Sequence, residues 1–391
     1  MAQNSVVILA ARRTPIGSML GTFATVAAPA LGATALKAAL ASAGADPAKV
    51  DEVVMGCVLP AGQGQAPARQ AAIAAGVPMS VPATTVNKMC GSGMKAVMLA
   101  ADQIAAGGAR LILAGGMESM TCAPYLLPKA RSGYRMGHGE ILDHMFYDGL
   151  QSPWDGKLMG CFADATAAKY GFSRADQDAF AAESVRRALA AVESKAFETE
   201  IAPVTIADRK GERIVAQDET PFSVSIDKIP SLKPAFAKDG TVTAASSSSI
   251  ADGAAALLLA SPQAAAGFKP IARIIAHASF AHAPEWFTTA PAGAIAKVLK
   301  QAGWKAGDVD LYEINEAFAV VTMAAMKDVG IAHERVNVNG GACALGHPIG
   351  ATGARILTTL LHALIQRGKK RGIAALCIGG GEATAIAVEI A

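Results

Sequence analysis

Leu40-Ala41-Ser42-Ala43-Gly44, with Val50-Asp51-Glu52-Val53 six residues later, predicts a helix that stops at a glycine, a short polar turn and a strand. The same pattern returns as Leu299-Lys300-Gln301-Ala302-Gly303 and Val309-Asp310-Leu311-Tyr312. Both pieces repeat at one constant shift of 259 positions, as from Leu40 to Leu299. A register this constant predicts that the chain contains two copies of one ancestral unit.

The same shift places Gly91 on Gly350. Each glycine opens a turn of small residues that leads into a long helix, and each helix is followed by a glycine-flanked strand, Leu111–Gly116 in the first copy and Ala374–Gly381 in the second. Short apolar runs alternate with alanine-rich segments of helical period along the whole chain, which predicts an α/β fold with a largely buried sheet. Duplicated halves of this kind pack face to face, so we expect ligands to gather where they meet.

Composition changes between the two copies, from about Thr121 to Val242, where glycine, proline, tyrosine and charged residues become more frequent. We predict that residues 1–120 with 243–269 form the first half, 121–242 an inserted loop domain over the site, and 270–391 the second half.

Two local predictions concern this insertion and the segment after it. Ser173, with Asp176 three residues later, predicts a capped helix start. The serine run Ser246–Ser249 is too short for a disordered linker, so we expect an ordered loop, followed by an apolar helix at Ala254–Leu259.

Composition also excludes several classes of function. The 391 residues include six cysteines without a CxxC pair or zinc-ligand spacing, which predicts no metal site and a reducing compartment, by default the cytoplasm. A net charge of +3 without a long basic run predicts no nucleic-acid partner. Every apolar stretch is interrupted well short of the about 20 residues that a membrane span needs, and the N-terminus lacks the charge order of a signal peptide.

The first candidate site is the turn Asn87-Lys88-Met89-Cys90-Gly91-Ser92-Gly93, between a strand and a helix. A cysteine at a helix N-terminus is expected to have its pKa lowered from the free value of about 8.5, which favours the nucleophilic thiolate. The flanking glycines let a substrate approach and free backbone N–H groups for an oxyanion. A buried core cysteine is the alternative for Cys90.

The second candidate site is Asn339–Gly350, which contains His347 between a glycine and a proline. In the repeat register His347 corresponds to Lys88, two positions before Cys90, so the duplication brings a histidine and a cysteine to equivalent turns. We expect His347 to accept the thiol proton and to hold an imidazolium beside the thiolate. A structural turn histidine is the alternative.

Two further residues lie at predicted strand ends. Cys377 precedes three glycines, Gly379 among them, and a core strand cysteine explains it about as well as a functional one. Asn315 corresponds to Gly56 of the first copy, and its amide could donate to an oxyanion or cap a helix.

These four motifs together resemble those of the thiolase family, and the resemblance extends over the whole chain. Arg13–Gly17, Gly115–Met120 and Lys238–Thr243 are also similar to thiolase segments. The resemblance implies two stacked αβαβα halves with a loop domain, and a reversible Claisen reaction on coenzyme A thioesters without a further cofactor. It also implies a homotetramer, a dimer of dimers.

By matching motif, the resemblance implies that Cys90 is acylated after activation by His347, and that Cys377 is the acid and base acting on the second acyl-CoA. The exchange of roles suits a Cys377 thiol whose pKa is not far above neutrality. Asn315 with a water, together with His347, would stabilise the enolate oxygen. Backbone N–H groups of Cys90 and Gly379 would hold the acyl-enzyme oxyanion.

The positions that line the pantetheine tunnel in this family correspond here to a serine and four apolar side chains: Ser248, Phe236, Met159, Ala317 and Phe318. An exposed apolar surface for assembly is predicted in the insertion, at Tyr134, Met136, Met145, Phe146 and Tyr147.

The sequence departs from the family pattern at three places. Leu158-Met159-Gly160 stands where many short-chain biosynthetic relatives have His-Met-Gly, Ser246–Ser249 replaces an Asn-Ala-Ser-Gly loop, and Glu382 follows Gly381 in place of methionine. These changes leave the acyl chain length open between an acetyl-CoA acetyltransferase and a degradative 3-ketoacyl-CoA thiolase.

Three other classes stay as alternatives. A ketosynthase would pair its cysteine with two histidines, where this chain has Cys377 at the second base position. A non-catalytic acyl-CoA-binding relative would lack one of Cys90, His347 or Cys377, and all three are present. A thioesterase gives no reason for the second cysteine.

Overall fold

The computed structural model of the protein describes residues 6–208 and 211–391. Residues 1–5 of the predicted first half and residues 209–210 of the predicted insertion lie outside this part. The strands are β1 (Val6–Arg13), β2 (Gly17–Ser18), β3 (Glu52–Gly56), β4 (Ala83–Val86), β5 (Leu111–Ser119), β6 (Tyr125–Leu126), β7 (Leu142–Asp143), β8 (Val204–Asp208), β9 (Gly211–Val215), β10 (Ala251–Ala260), β11 (Ala272–Ala281), β12 (Leu311–Ile314), β13 (Arg371–Ile378) and β14 (Glu382–Ile390). The α-helices are α1 (Ala28–Ala43), α2 (Pro67–Ala74), α3 (Ser92–Ala105), α4 (Met159–Tyr170), α5 (Arg174–Glu193), α6 (Ala290–Ala302), α7 (Ala319–Val329), α8 (Ala342–Leu345) and α9 (Ile349–Gln366).

One mixed sheet runs through the centre of the molecule in the order β12-β13-β14-β11-β1-β10-β5-β3-β4, with β2 added beside β10. Strands of the first half occupy one side and strands of the second half the other. The two sides join where β1 pairs antiparallel with β11, with Val6 opposite Ile274 and Ile8 opposite Ala272. The predicted α/β fold with a buried sheet is therefore confirmed.

The predicted duplication is visible element by element. Helices α1 and α6 both end at a left-handed glycine, Gly44 with φ 65° and Gly303 with φ 68°, a conformation that L side chains rarely adopt. The 3₁₀ turns that follow, Pro47–Lys49 and Ala306–Asp308, lie one repeat shift apart. The pairs β3 and β12, α3 and α9, and β5 and β13 follow in the same order.

Helices α3 and α9 start beside each other in the middle of the molecule. A Cβ atom on Gly93 would lie 3.0 Å from the Gly350 oxygen, and one on Gly353 would lie 2.4 Å from the Met94 nitrogen. Because neither glycine carries a Cβ atom, the two helices approach backbone to backbone. This contact brings the turn before α3 and the turn before α9 to one place.

The segment after the serine run is strand β10 and not the predicted apolar helix at Ala254–Leu259, so that prediction was wrong. Every residue of β10 is buried, between β1 and β5 within the sheet and against α1 and α9 on its faces. Alanine and leucine favour a helix in isolation, but an apolar run covered on both faces suits a central strand, and this tertiary context decided the outcome.

The predicted insertion contains the two-stranded sheets β6-β7 and β8-β9 together with α4 and α5. The capped start of α5 is confirmed, since the Ser173 side chain accepts from the Asp176 backbone N–H and the Asp176 carboxylate bonds back to the Ser173 N–H. The three-part division of the chain stays a prediction.

Across the described residues, no helix is long and apolar enough to cross a membrane. Nor does that part of the chain bring together three or more histidine, cysteine, aspartate or glutamate side chains in an arrangement suited to a metal ion.

Candidate active site

The turn that carries Cys90 connects β4 to α3 and contains a residue in an unfavourable backbone conformation. Met89 has φ 47°, in the left-handed region that non-glycine residues rarely occupy. Three hydrogen bonds hold it there: Met89 N–H donates to Asn87 Oδ1 (2.9 Å), Lys88 N–H donates to Ser92 Oγ (2.8 Å), and Ser92 Oγ donates to the Met89 oxygen (2.6 Å). The strain is local and fully braced, so Cys90 has a fixed position immediately before the helix.

His347 lies in the loop between α8 and α9, where its backbone N–H donates to the Ser249 oxygen (3.0 Å). Its Nδ1 is 2.6 Å from Thr352 Oγ1, and that hydroxyl donates its own proton to the Pro348 oxygen (2.9 Å). Nδ1 must therefore carry a proton and donate it to Thr352, which leaves Nε2 as an unprotonated acceptor. Nε2 is buried and has no hydrogen-bond partner among the described residues, the state expected of a base.

Cys377 is the second-last residue of β13, ahead of the turn that leads into β14. Gly380 and Gly381 in this turn have φ 101° and 88°, and a Cβ atom on Gly381 would lie 2.4 Å from the His282 oxygen, so only glycine fits. The turn contacts the Cys90 turn directly, because a Cβ atom on Gly91 would lie 2.4 Å from Ile378 Cδ1.

One cavity of about 200 Å³ connects these turns. All three predicted reactive side chains, the predicted glycine and the predicted tunnel residues line this cavity. The structure therefore brings these predicted site residues together. The predicted residues that line it are Cys90, His347, Cys377, Gly379, Ser248, Phe236, Met159, Ala317 and Phe318.

Asn315 is the predicted site residue that is not among those lining the cavity. It directly follows β12, is 1% exposed, and its backbone N–H donates to the Ala375 oxygen (3.0 Å) in the strand that carries Cys377. Within the part of the chain that the structure describes, neither polar atom of its side-chain amide has a hydrogen-bond partner. Helix α7 starts at Ala319 without a side-chain cap, so the capping alternative for Asn315 is wrong.

Sequence reasoning missed most of the apolar lining. The additional residues are Met120, Phe146, Gly149, Leu150, Leu158, Gly160, Ser247, Ser249, Ile250, Phe287 and Ile349. Phe287 packs edge-on against Phe162 with ring centroids 6.2 Å apart, and Phe236 packs in the same way against Phe318 at 5.9 Å. Met120 and Leu158 belong to segments that resemble thiolase motifs, whereas the sequence around Phe287 contains no such motif.

One of the residues predicted for an exposed assembly surface, Met145, is buried. Met145 is 2% exposed and packs in an apolar cluster with Leu59 and Ile349, and Phe146 lines the cavity. Phe146 is 37% exposed, and Tyr134, Met136 and Tyr147 are also exposed.

The Cys90 thiol does not have the lowered pKa that its sequence position predicts. Burial raises the pKa of Cys90 to about 11, and the charge of Glu118 adds to this effect. The backbone N–H groups of Gly379 and of Cys90 itself point at the sulfur and lower the pKa, but by less than desolvation raises it. The helix start therefore supplies oriented donors without making a resting thiolate.

Burial also lowers the pKa of His347 to about 3, with a further contribution from the Arg355 guanidinium. Burial and the neighbouring Cys90 raise the pKa of Cys377 well above its ordinary value. These directions oppose both the expected thiolate–imidazolium pair and the expected near-neutral pKa of Cys377. Both thiols and the imidazole are neutral at rest, because an apolar cavity penalises every charged form.

This arrangement suits acyl transfer to sulfur. A neutral thiol can attack a carbonyl while passing its proton to an imidazole nitrogen that lacks a partner, so no free charge has to form beforehand. The N–H groups of Cys90 and Gly379 converge on the reacting sulfur. There they would stabilise negative charge on the oxygen of a carbonyl group whose carbon is bonded to that sulfur.

Comparisons with known proteins agree with this geometry. Residues 6–263 match the family "Thiolase, N-terminal domain" and residues 268–390 match "Thiolase, C-terminal domain". Acetyl-CoA acetyltransferase of Escherichia coli is 51% identical over 387 residues, covering 98% of each chain, and that of Chromobacterium violaceum is 50% identical over 388 residues, covering 98% of this chain and 99% of the relative. The crystal structure of the Bacillus anthracis acetyl-CoA acetyltransferase superimposes with a TM-score of 0.97 at 41% identity, covering 100% of both chains.

Proposed function

Since the chain belongs to the thiolase family and is an acyltransferase, we propose that it joins two molecules of acetyl-CoA reversibly to give acetoacetyl-CoA and free coenzyme A. The observation that carries this proposal is the meeting of Cys90, the unpartnered Nε2 of His347 and Cys377 at one cavity.

The first stage of the proposed reaction transfers an acetyl group to Cys90. The sulfur attacks the thioester carbonyl while its proton passes to His347 Nε2, and the N–H groups of Cys90 and Gly379 stabilise the oxyanion. The C–S bond to coenzyme A then breaks, and the leaving thiolate takes the proton of Cys377. This stage leaves an acetyl thioester on Cys90, an imidazolium at His347 and a thiolate at Cys377.

The second stage forms the carbon–carbon bond. The Cys377 thiolate removes a Cα proton from the second acetyl-CoA, and Asn315, acting through a water, stabilises the enolate oxygen together with His347. The carbanion attacks the acetyl carbonyl on Cys90, whose sulfur leaves and recovers its proton from His347. Every group returns to its starting protonation state, which agrees with neutral resting thiols.

The walls proposed to hold the pantetheine arm are mostly apolar. Met159, Phe236, Ala317 and Phe318 line one side of the cavity, and the Ser248 hydroxyl donates to the Ala317 oxygen (3.0 Å), which ties the serine loop to this wall. Contacts of this kind exclude water and orient the thioester, and both effects favour attack by Cys90.

A broader acyl range, as in a degradative 3-ketoacyl-CoA thiolase, is the second candidate. Leu158 supports it, since an apolar side chain lines the cavity where many short-chain relatives have a histidine. The six cysteines are all free in the structure, which is consistent with a proposed cytoplasmic location.

We also propose assembly as a dimer of dimers. Met136 is 96% exposed and Tyr125, Leu127 and Ile141 are each more than half exposed, a density of apolar surface that is typical of an interface. Light scattering after gel filtration tests this, with Met136→Glu expected to lower the assembled mass. A wild-type monomer would contradict the proposal.

Thiolysis of acetoacetyl-CoA and of longer 3-ketoacyl-CoAs, followed through the magnesium-enolate absorbance, tests the reaction and its chain length together. We expect wild type to cleave acetoacetyl-CoA and Cys90→Ala to be inactive, while the exposed Cys122→Ala serves as the matched control and stays active. Wild-type protein that is inert on every 3-ketoacyl-CoA would refute the proposal, and a preference for longer chains would favour the second candidate.

A further inference from the structure

The buried carboxylate of Glu118 lies at a position that the proposed reaction does not use. It is the second-last residue of β5 and 0% exposed. The repeat shift of 259 positions relates it to Cys377, the second-last residue of β13. The first half therefore has a carboxylate where the second half has the proposed acid and base.

Glu118 fastens the loop after β3 to the start of α9. Its carboxylate accepts from the backbone N–H groups of Val58 (2.9 Å), Leu59 (3.2 Å) and Gly350 (2.8 Å), and from the Cys57 thiol (3.5 Å). Val58 and Leu59 belong to the first half, whereas Gly350 is the second residue of α9, three positions after His347. One side chain thus joins the two halves directly behind the site.

The residues that Glu118 holds pack against residues that line the cavity. Leu59 and Val58 pack with Met120 and Ile349, and this apolar cluster borders Cys90. Met120 and Ile349 both line the cavity. A displacement of the carboxylate would therefore move the wall beside the nucleophile and the first turn of the helix that follows His347.

The charge of Glu118 also acts on the nucleophile. It raises the pKa of Cys90, while burial raises the pKa of Glu118 itself to about 7 against the opposing effect of its three N–H donors. The titratable groups that interact with it are the thiols of Cys57 and Cys90. Asp252, on the adjacent strand β10, bonds instead to the Thr121 N–H (3.0 Å).

We propose that Glu118 is a positioning residue, which locks the β3 loop to the start of α9. Its negative charge adds to burial in disfavouring the Cys90 thiolate. Its kinetic consequence rests on the proposed thiolase reaction, but its effect on the thiol does not. The Glu118 carboxylate therefore holds the two halves together, whereas its counterpart Cys377 takes part in the proposed proton transfers.

The test is the pH profile of Cys90 alkylation by iodoacetamide, followed by mass spectrometry of the Cys90 peptide between pH 6 and about 10. Glu118→Gln removes the charge but introduces an amide group that can donate. Glu118→Met removes the charge and places no hydrogen-bond donor opposite the three backbone N–H groups. Glu118→Asp keeps the charge but is too short for all three contacts. Asp252→Asn is the matched control for the loss of another buried carboxylate.

We expect both neutral variants to move the profile to lower pH, with alkylation on its rising limb up to about tenfold faster, as a fall of one in the thiol pKa requires. Glu118→Asp and Asp252→Asn should keep the wild-type midpoint. In acetoacetyl-CoA thiolysis, Glu118→Gln and Glu118→Asp should lower kcat about tenfold with KM changed far less, because the lock is lost in both.

An unmoved profile in folded Glu118→Gln and Glu118→Met, or an equal movement in Asp252→Asn, would overturn the proposal. So would failure of both neutral variants to fold while Asp252→Asn folds, because Glu118 would then be a purely structural residue. Alkylation needs no coenzyme A substrate. A protein that shows the expected profiles but no thiolysis would therefore refute the proposed function and leave the inference on Glu118 intact.

Discussion

The ends of strands β5 and β13 are equivalent by duplication but opposite in chemistry. At the end of β5, Glu118 is bonded to the start of α9 through the Gly350 N–H. At the end of β13, Cys377 has no such partner in residues 6–208 and 211–391, and it borders the cavity close to Cys90 and the start of α3. The same meeting of a strand end with a helix start therefore serves as a brace in one half and as a reactive centre in the other.

The turns before α3 and α9 also differ, because each contains one of the two residues proposed as nucleophile and base. The repeat shift relates Cys90 to Ile349 and His347 to Lys88, so each half keeps one member of the nucleophile–base pair and replaces the other. Since α3 and α9 start side by side, the cysteine of one half meets the histidine of the other. Duplication thus supplied two similar turns, and their divergence separated the roles.

Replacement of either cavity thiol should give the largest loss of activity, and the two replacements should differ in whether Cys90 can still be acetylated. We expect Cys377→Ala to lower condensation and thiolysis by about a thousandfold or more, because the acid and base is lost. The Cys377→Ala protein should still accept an acetyl label from acetyl-CoA on Cys90. Cys90→Ala should lose the label together with all turnover.

Mass spectrometry of the intact protein after incubation with acetyl-CoA measures the label, and Cys343→Ala is the control, since Cys343 is buried but does not line the cavity. Because Cys377 protonates the leaving thiolate in the first stage, labelling of Cys377→Ala should be slower but should reach the same extent. Complete loss of the label would mean that Cys90 cannot be acylated without Cys377, contrary to the assignment of nucleophile and acid–base roles to separate thiols.

Thr352 has Gly93 as its counterpart in the first half, so its hydroxyl has no equivalent there. Thr352→Val keeps the shape but leaves the His347 Nδ1–H buried without an acceptor, at a cost of about 1 to 3 kcal/mol. We expect kcat to fall about 10- to 100-fold with little change in KM, because the tautomer with an unprotonated Nε2 is no longer favoured.

Thr358→Val is the matched control for this substitution. Thr358 is also buried on α9 and its hydroxyl donates to the Ala354 oxygen (2.9 Å), away from His347. Steady-state kinetics of the two variants separate a histidine effect from a helix effect. An equal fall of kcat in both would show that Thr352 contributes only packing.

Sequence reasoning identified those features that depend on local chemistry or on the repeat. Gly44 and Gly303 mark helix ends because only glycine suits their backbone, and Cys90 and His347 were recognisable from the small residues around them. Packing decided the rest. The alanine and leucine run of β10 became a strand because both its faces are covered.

Long-range contacts account for what sequence reasoning missed at the site. Phe287 is brought to the cavity by a segment braced against Gly381, and no nearby motif indicates this. The pKa values of Cys90 and Cys377 depend on the depth of burial, which the sequence leaves open, so the helix-start argument gave the wrong direction.

The pH dependence of stability should distinguish Glu118 from its counterpart thiol. Burial raises the pKa of Glu118 from 4.5 to about 7, so between these values the folded protein retains a proton that the unfolded chain has lost. The stability contributed by this group is therefore fully present below about pH 4.5 and is lost as pH rises to about 7. The loss amounts to about 3 kcal/mol at most.

We expect Glu118→Gln to remove this decline, so that its free energy of unfolding falls less between pH 5 and 8 than that of wild type. Urea titrations at each pH measure the difference. Burial also raises the pKa of Glu313, to about 8, and that of Glu316, so both proteins keep some decline and only their difference reports Glu118. Parallel curves for the two proteins would contradict the expectation.

Lys88 should give the smallest effect, although it is the counterpart of His347. Its ammonium group pairs with the Glu382 carboxylate, which joins the Cys90 turn to the start of β14, and the two side chains are 23% and 37% exposed. Exposed pairs contribute about 0 to 1 kcal/mol, so Lys88→Met should lower the free energy of unfolding by no more than this and kcat by less than about threefold. The charge-reversed pair Lys88→Glu with Glu382→Lys should restore whatever is lost. If Lys88→Met instead lowered kcat as strongly as replacement of His347, the two turns would still share a catalytic role, and the division of roles between the halves would be incomplete.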